Sequence, residues 1–377
     1  MRHDDLQKKK IRIITIHYGT NHGSVLQSYA LSTYLKAKGH DVKVIDYIPP
    51  RYKIWNSLLR RNRGKYPLPV IMLYYPLAVL KSFRVREKFE RFLRRNIELT
   101  KRYTTKEALK KDPPEADVYI SGSDQVWNND YNGNEDLTYF LDFAPAHAKR
   151  IAYAASFGKE RITEQEYLNS VQPLLTEFAA ISVREKDAQN ILQEMNISSV
   201  HVVDPVFLLT KEQWRAFERP IHVEEKYTLV YVMDGLHEEL LDYAQKIQES
   251  MGNAIYTISF SKINDPRVSK SFYLTDPKDF VGLMQKADTV VTNSFHGTAF
   301  SVMMGKKFIT VGKKQYNSRM ESLLKRLNLM QHFVPSGENL SPERICAALQ
   351  RKNDNSAETL QAWVEISKEF IDNSIEK

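Results

Sequence analysis

The stretch "DTVVTNSFHGTAFSVMMGKKFITVG", residues 288–312, sets two short apolar runs rich in β-branched residues on either side of a helix-like segment. Asn293, Ser294 and His296 stand where the first run ends. Strand, polar turn, helix, strand is the unit of a parallel sheet, because parallel neighbours need a crossover that a helix supplies. The alternation recurs in both halves of the chain. In the first half, runs at 11–17, 41–47, 117–123, 150–156, 179–185 and 200–205 are separated by amphipathic stretches at 24–38, 82–95, 164–178 and 186–195. In the second, runs at 227–233, 254–260, 288–294 and 308–312 interleave with helical patterns near 237–250, 277–287, 297–305 and 317–328. Near-continuous apolar strands belong to sheets covered on both faces. The expected fold class is therefore α/β, with two Rossmann-like, doubly wound parallel-sheet domains. The polar stretch 206–226 marks the break, giving domains at 1–208 and 209–355, and a last helix at 356–377 is expected to pack back across the junction.

Composition agrees with a globular chain: 42% of residues are hydrophobic and 27% charged, too apolar and too mixed in charge for disorder. Cys346 is the only cysteine, which excludes an internal disulfide framework and a cysteine metal site and fits a cytoplasmic setting. The N-terminal "MRHDDLQKKKIRIITIHYG" has an apolar run of only about seven residues and reads as a first strand rather than an export signal. The net charge of +8 is uneven. Residues 51–102 hold 15 Lys/Arg and 3 Asp/Glu, a balance of 15 − 3 = +12, which leaves 8 − 12 = −4 elsewhere. Within this basic insert "PVIMLYYPLAVL", residues 69–80, is too short to cross a bilayer, which needs about 20 apolar residues. Such a segment either covers core while its cations are solvated or rests on an anionic membrane.

In open parallel sheets ligands lie beyond the carboxyl ends of the strands. Five polar segments fall there: "HYGTNHGS", "GSDQVWN", "SFG", "VRE" and "NSFHG". Together they point to a cleft to which each domain presents its strand ends. Ser294 suits a helix cap, and the free N–H groups beyond it, at Gly297 and Thr298, suit an anion. Capping does not require His296, which beside a bound anion becomes a candidate proton donor. Arg184 and Arg319 are fitted to grip a carboxylate or phosphate by two-pronged contact; the plainer reading of Arg184 is an ion pair with a nearby carboxylate. Lys313 and Lys314 read as a solvated loop. Asp124 is a candidate base toward a sugar hydroxyl or, as plainly, a turn residue. Trp127 is a candidate stacking platform for a sugar, with His22, Gly23 and Gln125 beside it on the acceptor side. The loop "HYGTNHGSVLQ" matches neither nucleotide-phosphate fingerprint, and no metal-ligand spacing occurs, so neither a metal nor a bound cofactor is expected.

These same segments carry a family likeness. "GSVLQSYAL", "GSDQVWN", "YAASFG", "SVRE", "DPVFLL" and "NSFHGTAFSVMMGKKF", in this order from residue 19 to about 328, resemble the polysaccharide pyruvyl transferase family. The resemblance implies a GT-B-like pair of domains, with the acceptor on the first and the donor on the second. It also implies transfer of a pyruvyl group from phosphoenolpyruvate onto a sugar as a ketal, in capsule or exopolysaccharide synthesis. In that scheme His296 is the general acid or phosphate partner, Arg184 and Arg319 hold the donor, and Asp124 is the base. A lipid-linked acceptor at the inner face of the cytoplasmic membrane would suit the basic insert. Two other readings compete: a nucleotide-sugar-dependent GT-B glycosyltransferase, and a non-catalytic module docking on acidic membrane or nucleic acid through residues 51–102, whose binding replacement of Arg60, Arg61 and Arg63 would abolish. Under the transferase reading no nucleic acid is expected as a partner.

Overall fold

A computed structural model describes residues 7–49, 83–233, 237–260, 262–273, 275–350 and 355–376. The apolar segment 69–80 and Arg60, Arg61 and Arg63 lie outside the described residues. The first sheet is built from β1 (Lys10–Ile14), β2 (Asp41–Tyr47), β3 (Leu99–Tyr103), β4 (Val118–Ser121), β5 (Lys149–Ala155), β6 (Ala180–Val183) and β7 (Val200–His201). Their order across the sheet is β3-β2-β1-β4-β5-β6-β7. The second contains β8 (Tyr227–Tyr231), β9 (Ala254–Ser259), β10 (Lys270–Tyr273), β11 (Thr289–Thr292), β12 (Lys307–Val311) and β13 (Phe333–Val334), in the order β10-β9-β8-β11-β12-β13. Ile11 sits beside Val42 and Val118, and Val291 beside Val230 and Ile309, all in parallel register. Both sheets thus run outward in two directions from their first strand, the 3-2-1-4-5-6 order of doubly wound folds, and each has its switch point between its first and fourth strands.

The apolar strands form the core because helices cover them. Ile11, Ile13, Ile14, Ile120 and Ile151 are wholly buried in the first sheet, and Val230, Ile255, Val291 and Ile309 in the second. Each such side chain contributes about 1.5–3 kcal/mol by leaving water. Three strands have no counterpart among the expected runs, and all three are at sheet edges: β3, β10 and β13. LTKRY of β3 and KSFY of β10 are half-buried or exposed at every position but Tyr103, and β13 is only two residues long, so none has the continuous apolar run that marks a central strand.

The helices that matter below are α1 (His22–Ala37), α2 (over 83–96), α3 (Phe295–Met304), α4 (Ser318–Arg326) and α5 (Ser356–Glu376). The chain forms two compact units. One comprises Met1–Phe157, Glu164–Ser182 and Asn373–Lys377; the other, Gly158–Thr163 and Val183–Asp372. The expected break at 208/209 lies inside the second unit, and the end of α5 is grouped with the first.

Candidate functional site

In the second unit β11 ends at Thr292 and α3 starts at Phe295. Ser294 caps α3, its Oγ accepting from the Gly297 N–H at 3.4 Å, and its own N–H donates to Thr292 Oγ1 at 3.1 Å. Gly297 allows the helix to come this close, because a Cβ there would fall onto the Thr292 side chain. Thr298 Oγ1 donates to the Ser294 carbonyl at 3.0 Å and shares a hydrogen bond with Thr310 Oγ1 on β12 at 2.8 Å. These bonds correct one expectation. The Gly297 N–H is taken by the cap and the Thr298 N–H by the Ser294 carbonyl at 3.0 Å, so neither is open to a ligand. Ahead of them in the first turn, the N–H groups of Phe295 and His296 have no such partner among the described residues.

Phe295 is the hub of a charged cluster. The Arg184 guanidinium lies over its ring at 4.6 Å, the Arg319 guanidinium at 5.7 Å, and the His296 ring stands edge-on at 5.1 Å. Cations over an aromatic face are held by its quadrupole. Asp204 supplies the counter-charge from full burial: Arg184 Nη1 donates to its Oδ2 at 2.6 Å, and its Oδ1 accepts from the Val206 N–H at 3.1 Å. Burial pushes the Asp204 carboxyl up, but His296 and Arg184 outweigh it and hold the group well below the carboxylate range. His296 Nε2 is 3.6 Å from Asp204 Oδ2, within ion-pair reach but too far for a hydrogen bond. The ring is 3% exposed, and Nε2 has no hydrogen-bond partner. A buried polar atom left unbonded is costly, which makes it a marker of function.

The structure therefore brings together His296, Arg184 and Arg319, three residues far apart in sequence. The plainer reading of Arg184, an ion pair with a carboxylate, is present too, and at 2% exposure this guanidinium is deeply set. Arg319, in the first turn of α4, is half-buried and more accessible. Of the two lysines read as loop, Lys314 is exposed and Lys313 half-buried, its N–H donating to Asn317 Oδ1 at 2.7 Å. A further layer backs Asp204. Trp363 on α5 donates its indole N–H to the His201 carbonyl at 2.9 Å, and Ser367 Oγ accepts from the Val203 N–H at 3.0 Å. His201 Nε2 lies 3.1 Å from the Arg184 carbonyl; burial drives this histidine's pKa down to about 4.

In the first unit the corresponding junction follows β4. Asp124 has φ 74°, and Gly122 ahead of it has φ 116° with no room for a Cβ, which would strike the Tyr153 carbonyl. A left-handed aspartate stores about 1–3 kcal/mol of strain, a cost that persists where neighbours over-determine it. Asp124 Oδ2 accepts from Ser24 Oγ at 2.8 Å, and Oδ1 from the Gln125 N–H at 2.9 Å. Thr15 Oγ1 donates to the Ser123 carbonyl at 2.8 Å while accepting from Gln27 Nε2 at 2.8 Å. The loop after β1, the start of α1 and the loop after β4 are thus one hydrogen-bonded piece at the switch point.

Trp127 does not fit its expected part. Its indole is 0% exposed, stacked on Phe140 at 5.4 Å with the Phe157 ring tilted against it at 5.2 Å, and it donates to the Tyr139 carbonyl at 3.3 Å. It is core and offers no face to a sugar. His22 is buried against Phe89, the Gly23 N–H is capped by Asn21 Oδ1 at 2.9 Å, and Gln125 Oε1 accepts from Asn128 Nδ2 at 2.7 Å. These three build the junction rather than line it. Asp204, Phe295 and Ser24 were not singled out from sequence, although all lie in the quoted segments "DPVFLL", "NSFHG" and "GSVLQ". Only the contact pattern reveals an acid shared by an arginine and a histidine. Among the described residues no group of three or more His, Cys, Asp or Glu could hold a metal, and no helix is long and apolar enough to cross a membrane.

The model of the family described as polysaccharide pyruvyl transferase matches residues 21–314, which includes Asp124, Arg184, Asp204 and His296. The chain belongs to the polysaccharide pyruvyl transferase family. No curated protein matches it. Among solved structures, it is similar to a putative UDP-N-acetylglucosamine 2-epimerase from Listeria monocytogenes at TM-score 0.51 and 10% identity, covering 96% of this chain and 91% of the other. A UDP-GlcNAc 2-epimerase from Methanocaldococcus jannaschii gives TM-score 0.48 at 14% identity, covering 95% and 99%. Arabidopsis thaliana UGT89C1 complexed with quercetin gives 0.47 at 12%, covering 98% of both. The Listeria likeness agrees with the topology: two parallel-sheet α/β domains with GT-B-like structural neighbours. Fold alone does not carry a donor from those proteins to this family member.

Proposed function

We propose that the chain moves the pyruvyl group of phosphoenolpyruvate onto two hydroxyls of a sugar, in a cell-surface polysaccharide or its lipid-linked precursor, as a ketal. The observation that carries this reading is the buried, unbonded His296 Nε2 beside a buried carboxylate and two guanidiniums. Phosphoenolpyruvate brings a phosphate and a carboxylate, which call for guanidinium contacts. Arg319 meets the donor, Arg184 holds Asp204 and shares Phe295 with Arg319, and the first-turn N–H groups of Phe295 and His296 add donors at the positive end of α3. His296 delivers a proton to the methylene carbon, the adjacent carbon takes the first hydroxyl oxygen, the bond to phosphate breaks, and the second hydroxyl closes the ketal. The two hydroxyl protons are taken up by Asp124 as each oxygen attacks; after release from it one restores His296 and the other leaves with phosphate, so the reaction balances without a cofactor. Asp124 is the base toward the acceptor; its strained backbone and short contacts from Ser24 and Gln125 fix its carboxylate.

Purified protein supplied with phosphoenolpyruvate and a galactose- or mannose-type acceptor should release phosphate and gain a ketal in the product mass. Nucleotide sugars in place of phosphoenolpyruvate should give no product. His296→Gln should lower turnover by roughly 10²-fold or more, the usual scale of a lost acid. Normal turnover in this variant would sink the assignment. The same reading places the protein in the cytoplasm, at the inner face of the membrane, where α2 turns Arg84, Lys88, Arg91 and Arg95 outward with Phe83 52% exposed. Such a face suits anionic lipid; co-sedimentation with phosphatidylserine vesicles, lost on neutralising these four cations, is the expected result.

A further inference from the structure

The first unit has a recess that the proposed chemistry leaves unused. It lies at the carboxyl ends of β1 and β2 against α2, lined by His17, Asp46, Arg86, Glu90, Arg94 and Arg102. An acid at the end of the second strand of such a sheet commonly accepts from a sugar diol. Asp46 holds that place, but both its oxygens are engaged: Oδ1 is 3.3 Å from His17 Nε2, and Oδ2 accepts from Arg102 Nε at 2.8 Å. His17 Nδ1 in turn faces the Thr15 carbonyl at 3.1 Å, so each ring nitrogen has an acceptor oxygen beside it. Burial opposes charge on Asp46, yet His17 and Arg102 prevail and keep its carboxyl below the usual range.

The recess therefore presents cations. Three guanidiniums face two carboxylates. Glu90 takes a hydrogen bond from Arg86 Nε at 3.2 Å, whereas Arg94 and Arg102 stand 3.9 and 3.8 Å from it, beyond hydrogen-bond length. Each guanidinium has five N–H donors in a flat fork, more than these two acids can accept. We propose that this recess is a subsite for a phosphate ester, gripped by Arg86, Arg94 and Arg102. On the pyruvyl-transfer reading, on which this attribution alone rests, the phosphate is that of a phosphorylated saccharide acceptor, since the donor's own anions are met by the cluster around Phe295.

The test is calorimetric titration of the full chain at low ionic strength, with phosphoenolpyruvate saturating, using galactose 1-phosphate, inorganic phosphate and galactose. Saturable binding of galactose 1-phosphate, at least tenfold weaker in both Arg94→Gln and Arg86→Gln and unchanged in His296→Gln, is the expected result. Arg94 has its side chain 68% exposed, so its replacement leaves the fold intact should Arg86→Gln fail to fold. Absence of saturable phosphate-ester binding, equal affinity in the Arg94 variant, or loss in His296→Gln would overturn the subsite. Equal binding of inorganic phosphate and galactose 1-phosphate would overturn the saccharide attribution. Binding that persists while phosphoenolpyruvate yields no phosphate would instead sink the proposed reaction and leave the subsite standing.

Discussion

The loops after β4 and β11 occupy equivalent places in their two sheets, each beyond the fourth strand and next to the switch point, yet the chain has finished them in opposite ways. After β4, Asp124 is fixed through backbone shape and neutral hydrogen bonds: a glycine with no space for a side chain, a left-handed aspartate, a serine and a threonine each donating at 2.8 Å. After β11 the backbone is ordinary capped helix and the charge is extreme, with a buried carboxylate between an arginine and a histidine whose Nε2 is unbonded. One junction holds a group still by geometry; the other holds groups ready by electrostatics.

The contrast can be broken at the charged junction first. Asp204→Ala leaves Arg184 buried without its counter-ion and should cost about 3–5 kcal/mol in chemical denaturation, the usual penalty for orphaning a buried charge. A loss below 1 kcal/mol would show the pair to be far better hydrated than its burial implies. Acid should act on the same region through His201. Its pKa is lowered from 6.5 to about 4 in the folded state, so the folded protein prefers it neutral. The resulting stability is present above pH 6.5 and is lost as the pH falls toward 4, by at most about 3 kcal/mol. His201→Gln should flatten that segment of the denaturation-versus-pH curve, and an unchanged slope would refute the assignment.

Gly297→Ala drives a methyl into Thr292 and should cost about 1–3 kcal/mol, as overpacking does. Thr292→Ser in the same chain should recover part of it by removing the methyl from the collision. The smallest stability change is expected at the neutral junction. Asp124→Asn keeps a carbonyl acceptor for the Gln125 N–H, its NH2 can donate to Ser24 Oγ, and asparagine tolerates positive φ, so stability should change by less than about 1 kcal/mol. Turnover should still fall by roughly 10²-fold, because an amide cannot take a proton. A fast Asp124→Asn enzyme would remove Asp124 from the chemistry and reduce its junction to architecture.

The strands that build the two sheets could be read from sequence wherever both faces are buried, as at "DVKVIDY" and "DTVV", since burial writes itself as an unbroken apolar run. β3 and β10 escaped because an edge strand needs apolar residues on only part of its surface. Among residues of the candidate site, His296 could be singled out because a cap explains Ser294 and leaves the imidazole without a structural reason. Asp204 was not, because an aspartate before proline reads as a turn; its meaning lies in Arg184 and His296, 20 and 92 positions away. Trp127 misled for the opposite reason. A tryptophan in a polar segment reads as a platform, and nothing in "GSDQVWN" announces the three aromatic rings, Phe140, Phe157 and Phe178, that enclose it.

The bonds from Trp363 and Ser367 to the segment bearing Asp204 have a consequence for the order of events during synthesis. A ribosome that has translated as far as residue 350 has already joined Arg184, Asp204, His296 and Arg319 into the chain. The indole and hydroxyl that fasten the segment bearing Asp204 are still unmade. Until they are added, the segment bearing Asp204 lacks the two hydrogen bonds these side chains make to it, and Arg184 and the Val206 N–H hold the carboxylate without that backing.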